Sequence, residues 1–236
     1  MRCSFGSVHR LGADVWLAAT WLALLCGAIA LSVWAAIDDR FPGDAAVGRW
    51  IQANDLPGRT LSQFLRDVGS TPAAAITLIL AVIVLLALGR RRAALVSGCF
   101  AIGFGLQHGI KLLVDRPRTS ILLLDQHGSF DSPSFPSGHV MSSMIAGLVV
   151  VYLCWRIPGP LWLRAPIAAW GAGVGLLQPW ASISAGVHWP SDTLGGFVWT
   201  AVIGVPLIFA LERWALPADN RDDRFPGWRR PFPRLR

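Results

Sequence analysis

An all-α bundle of membrane-spanning helices is the fold this sequence predicts, on three observations. Of 236 residues, 53% are hydrophobic and only 15% charged, and the mean hydropathy is +0.49, which is too apolar for an ordinary soluble domain. Apolar stretches close to the roughly 20 residues needed to span a bilayer recur over residues 11–37, 71–89, 93–114, 138–155, 165–187 and 193–214. Arginines gather in alternate connections: Arg2 and Arg10, then Arg90-Arg91-Arg92, then Arg156 and Arg164, then Arg213 onward. The positive-inside rule makes those connections cytoplasmic. Both termini are then expected inside, and the connections after spans one, three and five outside.

The first span follows Arg2 and Arg10, so a secretory leader is the competing reading. Ala28-Ile29-Ala30 resembles a cleavage site, but apolar sequence runs on to Ile37, past the usual 7–15-residue leader core. A retained span is expected. Residues 38–70 form an outer interfacial segment in which Leu61, Phe64, Leu65 and Val68 fit one face of a short amphipathic helix. A cap over the bundle is the expected role there. The four cysteines lie at the terminus or inside spans (Cys3, Cys26, Cys99 and Cys154), so they suggest packing and no disulfide framework.

One six-span domain, residues 11–214, is therefore expected between a short N-terminus, 1–10, and a basic tail, 215–236. The tail's Arg, Asp, Pro and Trp residues lack periodicity and suit contact with anionic lipid. A net charge of +7 distributed this way points to membrane topology and away from nucleic acid.

Polar residues concentrate at the three outer junctions. Lys111, the one lysine in the chain, lies near the outer end of span three and is followed by Asp115-Arg116-Pro117-Arg118. An ionisable residue inside a span costs about 2.5–3.5 kcal/mol on insertion scales and is a functional candidate by default, although a snorkelling cation would look the same. His108 stands one turn earlier, with a hydrogen-bonded structural histidine as its ordinary reading. Span four opens on Ser134-Phe135-Pro136-Ser137-Gly138-His139. Unpaired N–H groups in a first helical turn, with the positive end of the helix dipole, suit an oxyanion. An N-cap explains Ser137 equally well but leaves His139 unexplained. At span six, His188 and Asp192 are four apart across Trp189-Pro190-Ser191, a spacing that lets a carboxylate hold one imidazole nitrogen while the other faces a substrate. A capping Asp beside an interfacial His would give the same spacing.

Together these blocks resemble the phosphatidic acid phosphatase type 2 and haloperoxidase superfamily, whose signature is Lys-x6-Arg-Pro, then Pro-Ser-Gly-His, then Ser-Arg-x5-His-x3-Asp. Here they read Lys111 through Arg118-Thr119, then Pro136-Ser137-Gly138-His139, then Ala181-Ser182 through His188 and Asp192. The resemblance implies that His188 attacks phosphorus to give a phosphohistidine, that Asp192 orients it and that His139 protonates the leaving group. Lys111, Arg118, Ser137 and Gly138 would bind the phosphoryl oxygens, with no metal or other cofactor.

Two departures stand out. Thr119 replaces a proline, which is expected to alter only a turn. Ser182 replaces an arginine, and a hydroxyl cannot supply a charged bidentate fork. Arg116, His108 and Gln178 are candidate substitutes. The family implies a bacterial inner-membrane phosphatase acting from the outer face on a lipid such as phosphatidylglycerophosphate, phosphatidate, undecaprenyl diphosphate or a lipid A phosphate, with the bilayer as its partner. A lipid-to-lipid phosphotransferase and a non-catalytic phospholipid-binding protein are the alternatives, the second because of Ser182. The sequence leaves the oligomeric state open.

Overall fold

The computed structural model describes residues 5–54, 58–120, 123–126 and 132–216, and these contain helices and loops with no strand. The helices are α1 (Phe5–Ile37), α2 (Asp44–Ala53), α3 (Arg59–Val68), α4 (Thr71–Ala87), α5 (Arg91–Cys99), α6 (Ile102–Val114), α7 (Gly138–Arg156), α8 (Leu161–Ser184) and α9 (Pro190–Ala210), the last passing into a π-helical turn over Leu211–Ala215. Apart from Ala215 and Leu216, the expected tail lies outside the described residues, as do residues 1–4.

Helix stands at each of the six expected spans. Among the described residues, four stretches are long and apolar enough to cross a bilayer: Val15–Ile37, Arg91–Val114, Gly138–Arg156 and Pro190–Ala215. A fifth would be α3 with α4, bent by 47°. Although α8 is 24 residues long, its Gln178, Arg164, prolines, tryptophans and glycines leave it short of that apolarity. Large apolar side chains such as Ile79, Ile83, Leu112 and Leu113 are exposed, as expected where lipid is the surrounding solvent. This is a multi-pass membrane protein.

At the centre stands α7, packed against α4, α6, α8 and α9, with Val140, Met141, Ile145 and Val149 fully buried. Its approach to α8 depends on small residues, as helix contacts in membranes commonly do. A Cβ on Gly147 would lie 2.4 Å from the Gly171 carbonyl oxygen. Across the bundle, the Trp21 indole donates to the Val202 carbonyl at 2.8 Å and that of Trp199 to Ser32 at 3.1 Å, joining α1 to α9.

Residues 38–70 include a short helix, α3, over the stretch expected to be amphipathic. Within α3, Leu65 is buried and Val68 half-buried, but Leu61 and Phe64 are exposed, whereas the polar pair Ser62 and Arg66 is buried. Phe64 meets the Trp170 ring edge-on at 6.0 Å. The reason is the surroundings: a helix on a membrane domain meets an apolar exterior, so its polar stripe can turn inward. Amphipathic periodicity gives the two faces without saying which one is covered.

Candidate active site

His188 lies in the connection between α8 and α9, and both ring nitrogens face polar partners. Its Nδ1 is 3.5 Å from Asp192 Oδ2 and 3.5 Å from Ser134 Oγ, while Nε2 is 3.5 Å from Arg118 Nη1. These separations are longer than ordinary hydrogen bonds, and such contacts commonly tighten only when substrate binds. Burial, opposed by hydrogen bonding to Asp192 and reinforced by Arg118 and Lys111, lowers the His188 pKa to about 3. The imidazole is therefore neutral at physiological pH, the form a nucleophile requires.

Asp192 is at once the cap of α9 and the partner of His188. Its Oδ2 accepts the Trp189 N–H at 2.8 Å and the Ser134 hydroxyl, and Oδ1 takes Arg116 Nη1 at 2.7 Å. Arg116 reaches Asp44 Oδ2 at 3.2 Å through its other terminal nitrogen and donates to Ser191 Oγ at 2.8 Å. Asp44 in turn accepts from the Ser191 N–H and hydroxyl, at 2.9 and 2.6 Å, and from the Phe41 N–H at 2.8 Å. The guanidinium also covers the Phe41 ring at 4.7 Å. Arg116 thus supports Asp192 from behind and is no substitute for the arginine missing at position 182.

Arg118 is aimed at the site. Its Nη1 donates to the Val187 carbonyl at 2.9 Å, and Nε and Nη2 hold the Ser132 carbonyl and hydroxyl at 2.8 and 3.0 Å. Burial, opposed by Asp192 and assisted by Arg66, lowers its pKa to about 10, so it stays charged. Lys111 is buried, and its ammonium binds the carbonyls of Pro133 and Ser134, the second at 3.4 Å. It fixes the segment leading into Pro136-Ser137-Gly138-His139, and a third N–H remains for a ligand.

That segment begins α7 as expected, through a cis Phe135–Pro136 peptide. Phe135 is fully buried, and a Cβ on Gly195 of α9 would lie 2.3 Å from its ring. The Ser137 N–H donates to the Asp192 carbonyl at 3.0 Å, so it ties α7 to α9 and is not open to a phosphate, a correction to the expected role of this backbone group. The first bond within α7 is Met141 N–H to the Ser137 carbonyl, at 3.1 Å. The preceding N–H groups, from Gly138 onward, form the first turn, where an anion can be held. Half-buried His139 belongs to that turn.

Thr119 does more than alter a turn. Its hydroxyl donates to the Gly186 carbonyl, joining the Arg118 loop to the one carrying His188. Gly186 has φ +67°, and a Cβ there would lie 2.0 Å from the Asp125 carbonyl oxygen, so only glycine fits. His108 is a second correction: three residues before Lys111, it has rotated off the buried face and is exposed. Gln107 takes the inward position, 2.4 Å from where a Cβ on Gly138 would lie.

Ser182 and Gln178, one turn apart on α8, are fully buried, and neither the Ser182 hydroxyl nor the Gln178 amide has a hydrogen-bond partner among the described residues. The Ser137 hydroxyl is in the same state. Arg66 of α3, 4% exposed, lies on this side of the site, where its charge is felt by both Arg118 and His139. Asp44 and Arg66 have no place in the sequence reading of the site, and Ser134 and Ser191 stand in its polar clusters without a role of their own. The one available signal was the four-residue spacing of Ser62 and Arg66 beside the apolar stripe of α3. Among the described residues no group of three or more His, Cys, Asp or Glu side chains could hold a metal ion.

The model of one family, the PAP2 superfamily, matches residues 92–215, just over half of the chain and all of the site except α2 and α3. The chain belongs to the PAP2 superfamily. Among solved structures it is similar to the first transmembrane PAP2 type phosphatidylglycerolphosphate phosphatase from Bacillus subtilis, at 17% identity and a TM-score of 0.57, over 85% of this chain and 98% of that one. At that identity the likeness concerns the fold. No curated protein matches the chain.

Proposed function

We propose that this PAP2 protein is a lipid phosphate phosphatase that works through a phosphohistidine on His188. The observation that carries the reading is the two-sided setting of the imidazole, with Nδ1 toward Asp192 and Ser134 and Nε2 toward Arg118. Nε2 attacks phosphorus as the bond to the lipid oxygen breaks, and His139 gives its proton to that oxygen. His139 then takes a proton from water, which attacks the phosphohistidine to release inorganic phosphate and restore His188. Arg118, Lys111 and the first-turn N–H groups of α7 balance the charge on the phosphoryl oxygens.

Lipid phosphates are the substrate class that suits a phosphate site inside a membrane bundle, and the Bacillus subtilis neighbour's stated activity supports it. The arginine distribution supports an outward-facing site in a bacterial inner membrane with both termini cytoplasmic. The test is phosphate release by the purified protein from a panel of lipid mono- and diphosphates, with and without chelator, beside His188→Ala. Release that persists in chelator and is lost in the variant is expected. Equal release by both proteins would refute the reading. Substrate consumption without free phosphate would point instead to transfer onto a second lipid.

A further inference from the structure

The buried face of α6 carries two polar side chains one turn apart, Gln107 and Lys111. Lys111 holds the carbonyls of Pro133 and Ser134, at the start of the segment that leads into α7. Gln107 reaches the first turn of α7 itself. A Cβ on Gly138 would lie 2.4 Å from its Nε2, 3.3 Å from its Cδ and 3.7 Å from its Oε1, so the carboxamide meets that turn nitrogen first.

The other end of the amide is held from behind. Ser142, one turn along α7 from Gly138 and fully buried, donates its hydroxyl proton to Gln107 Oε1 at 3.4 Å. A hydroxyl has a single proton, so in the 2.8 Å contact between Thr71 of α4 and Ser142 the threonine is the donor. The bonds run from Thr71 to Ser142 to Gln107 and set which way the amide faces. Gln107 is 9% exposed, and its Nε2 donates to no partner among the described residues. Polar groups buried to that degree are nearly always hydrogen-bonded. Filling the space between α6 and α7 would take only a methionine, without that cost.

We infer that Gln107 is a phosphate-binding residue, whose Nε2 donates to the phosphoryl oxygen held at the first turn of α7. Two separate features meet there: the N–H groups from Gly138 onward precede the first bond within the helix, and an oriented amide donor stands beside them. Neutral donors fixed in advance around an oxyanion stabilise the charge that develops on it. A side chain at position 138 would displace the amide, so glycine there serves this donor as well as the close approach of the backbone. The inference rests on the phosphoryl-transfer reading for its substrate but concerns anion binding, which can be measured alone.

The test is orthovanadate binding to the full-length protein in detergent, for the wild type, Gln107→Met, Gln107→Glu, Ser142→Ala and, as a control, Gln63→Met at an exposed amide of α3, with the melting temperature of each. Loss of one hydrogen bond to an anion should weaken binding about ten- to hundredfold in Gln107→Met. Gln107→Glu keeps the size and the acceptor for Ser142 but sets a carboxylate where Nε2 stood, so its loss should be larger. Ser142→Ala should lose less, because the donor survives without its anchor, and the control should bind as the wild type does. Binding by Gln107→Met at wild-type strength or tighter would overturn the proposal, since an amide that only joins helices would lower the melting temperature and leave vanadate affinity alone. Binding by Gln107→Glu at wild-type strength would overturn it equally. Phosphate release by the same wild-type sample separates the two readings. Vanadate binding that depends on Gln107, without release, would refute the phosphatase and leave the amide donor standing.

Discussion

The two sides of His188 are built on opposite principles. Behind it, Asp192, Arg116, Asp44, Ser191 and Ser134 form a closed network in which each charge has an opposite charge and further hydrogen bonds. In front, toward α3 and α8, the Ser137 and Ser182 hydroxyls and the Gln178 amide are buried without hydrogen-bond partners among the described residues. The back wall is finished by the fold, which fixes the imidazole. The front wall keeps these polar atoms unsatisfied, at a cost of about 1–3 kcal/mol each.

Substitutions can break this contrast, and the largest effect belongs to the imidazole between the walls. His188→Ala should reduce phosphate release by at least about a thousandfold, the scale of losing a nucleophile, in an initial-rate assay. On the back wall, Arg116→Met leaves Asp44 and Asp192 buried with no cation between them, and should cost about 3–5 kcal/mol. A large drop in melting temperature would show it, and an unchanged one would mean that the network does not support the fold. On the front wall the sign reverses. Gln178→Met should stabilise the ligand-free protein by roughly 1–2 kcal/mol, because an unpartnered amide is replaced by an apolar group of similar size.

The smallest effect is a pH dependence. The folded His188 pKa of about 3 lies below its unfolded value near 6.5, so between those values the unfolded chain binds the extra proton. The stability contributed by neutral His188 is complete above about pH 6.5 and is lost as pH falls toward 3, by at most about 1.4 kcal/mol per pH unit. Melting temperatures at pH 7 and pH 5 should therefore fall further for the wild type than for His188→Asn. Equal slopes would mean that His188 is not held neutral by its burial.

What the sequence disclosed follows the same division. His188 with Asp192, and Pro136 through His139, carry their chemistry in local spacing at a helix start, so they could be read without a fold. The supports could not: Asp44 meets Ser191 across 147 positions, and nothing near Asp44 announces that partner. Ser134 was visible only as part of a turn, although its hydroxyl binds Asp192. Arg66 was hidden because periodicity shows the two faces of α3 without showing which one the membrane domain covers. His108 failed for a simpler reason, a few tens of degrees of rotation around α6 between it and Lys111.

The central claim is that His188 itself carries the phosphoryl group. The direct measurement is rapid quenching of the wild-type protein during turnover of a lipid labelled in its phosphate, followed by location of the label along the chain. An acid-labile, alkali-stable phosphoryl group on His188, absent from His188→Ala, is the predicted result. Phosphate release that proceeds with no label on His188, or equally fast in His188→Ala, would contradict it.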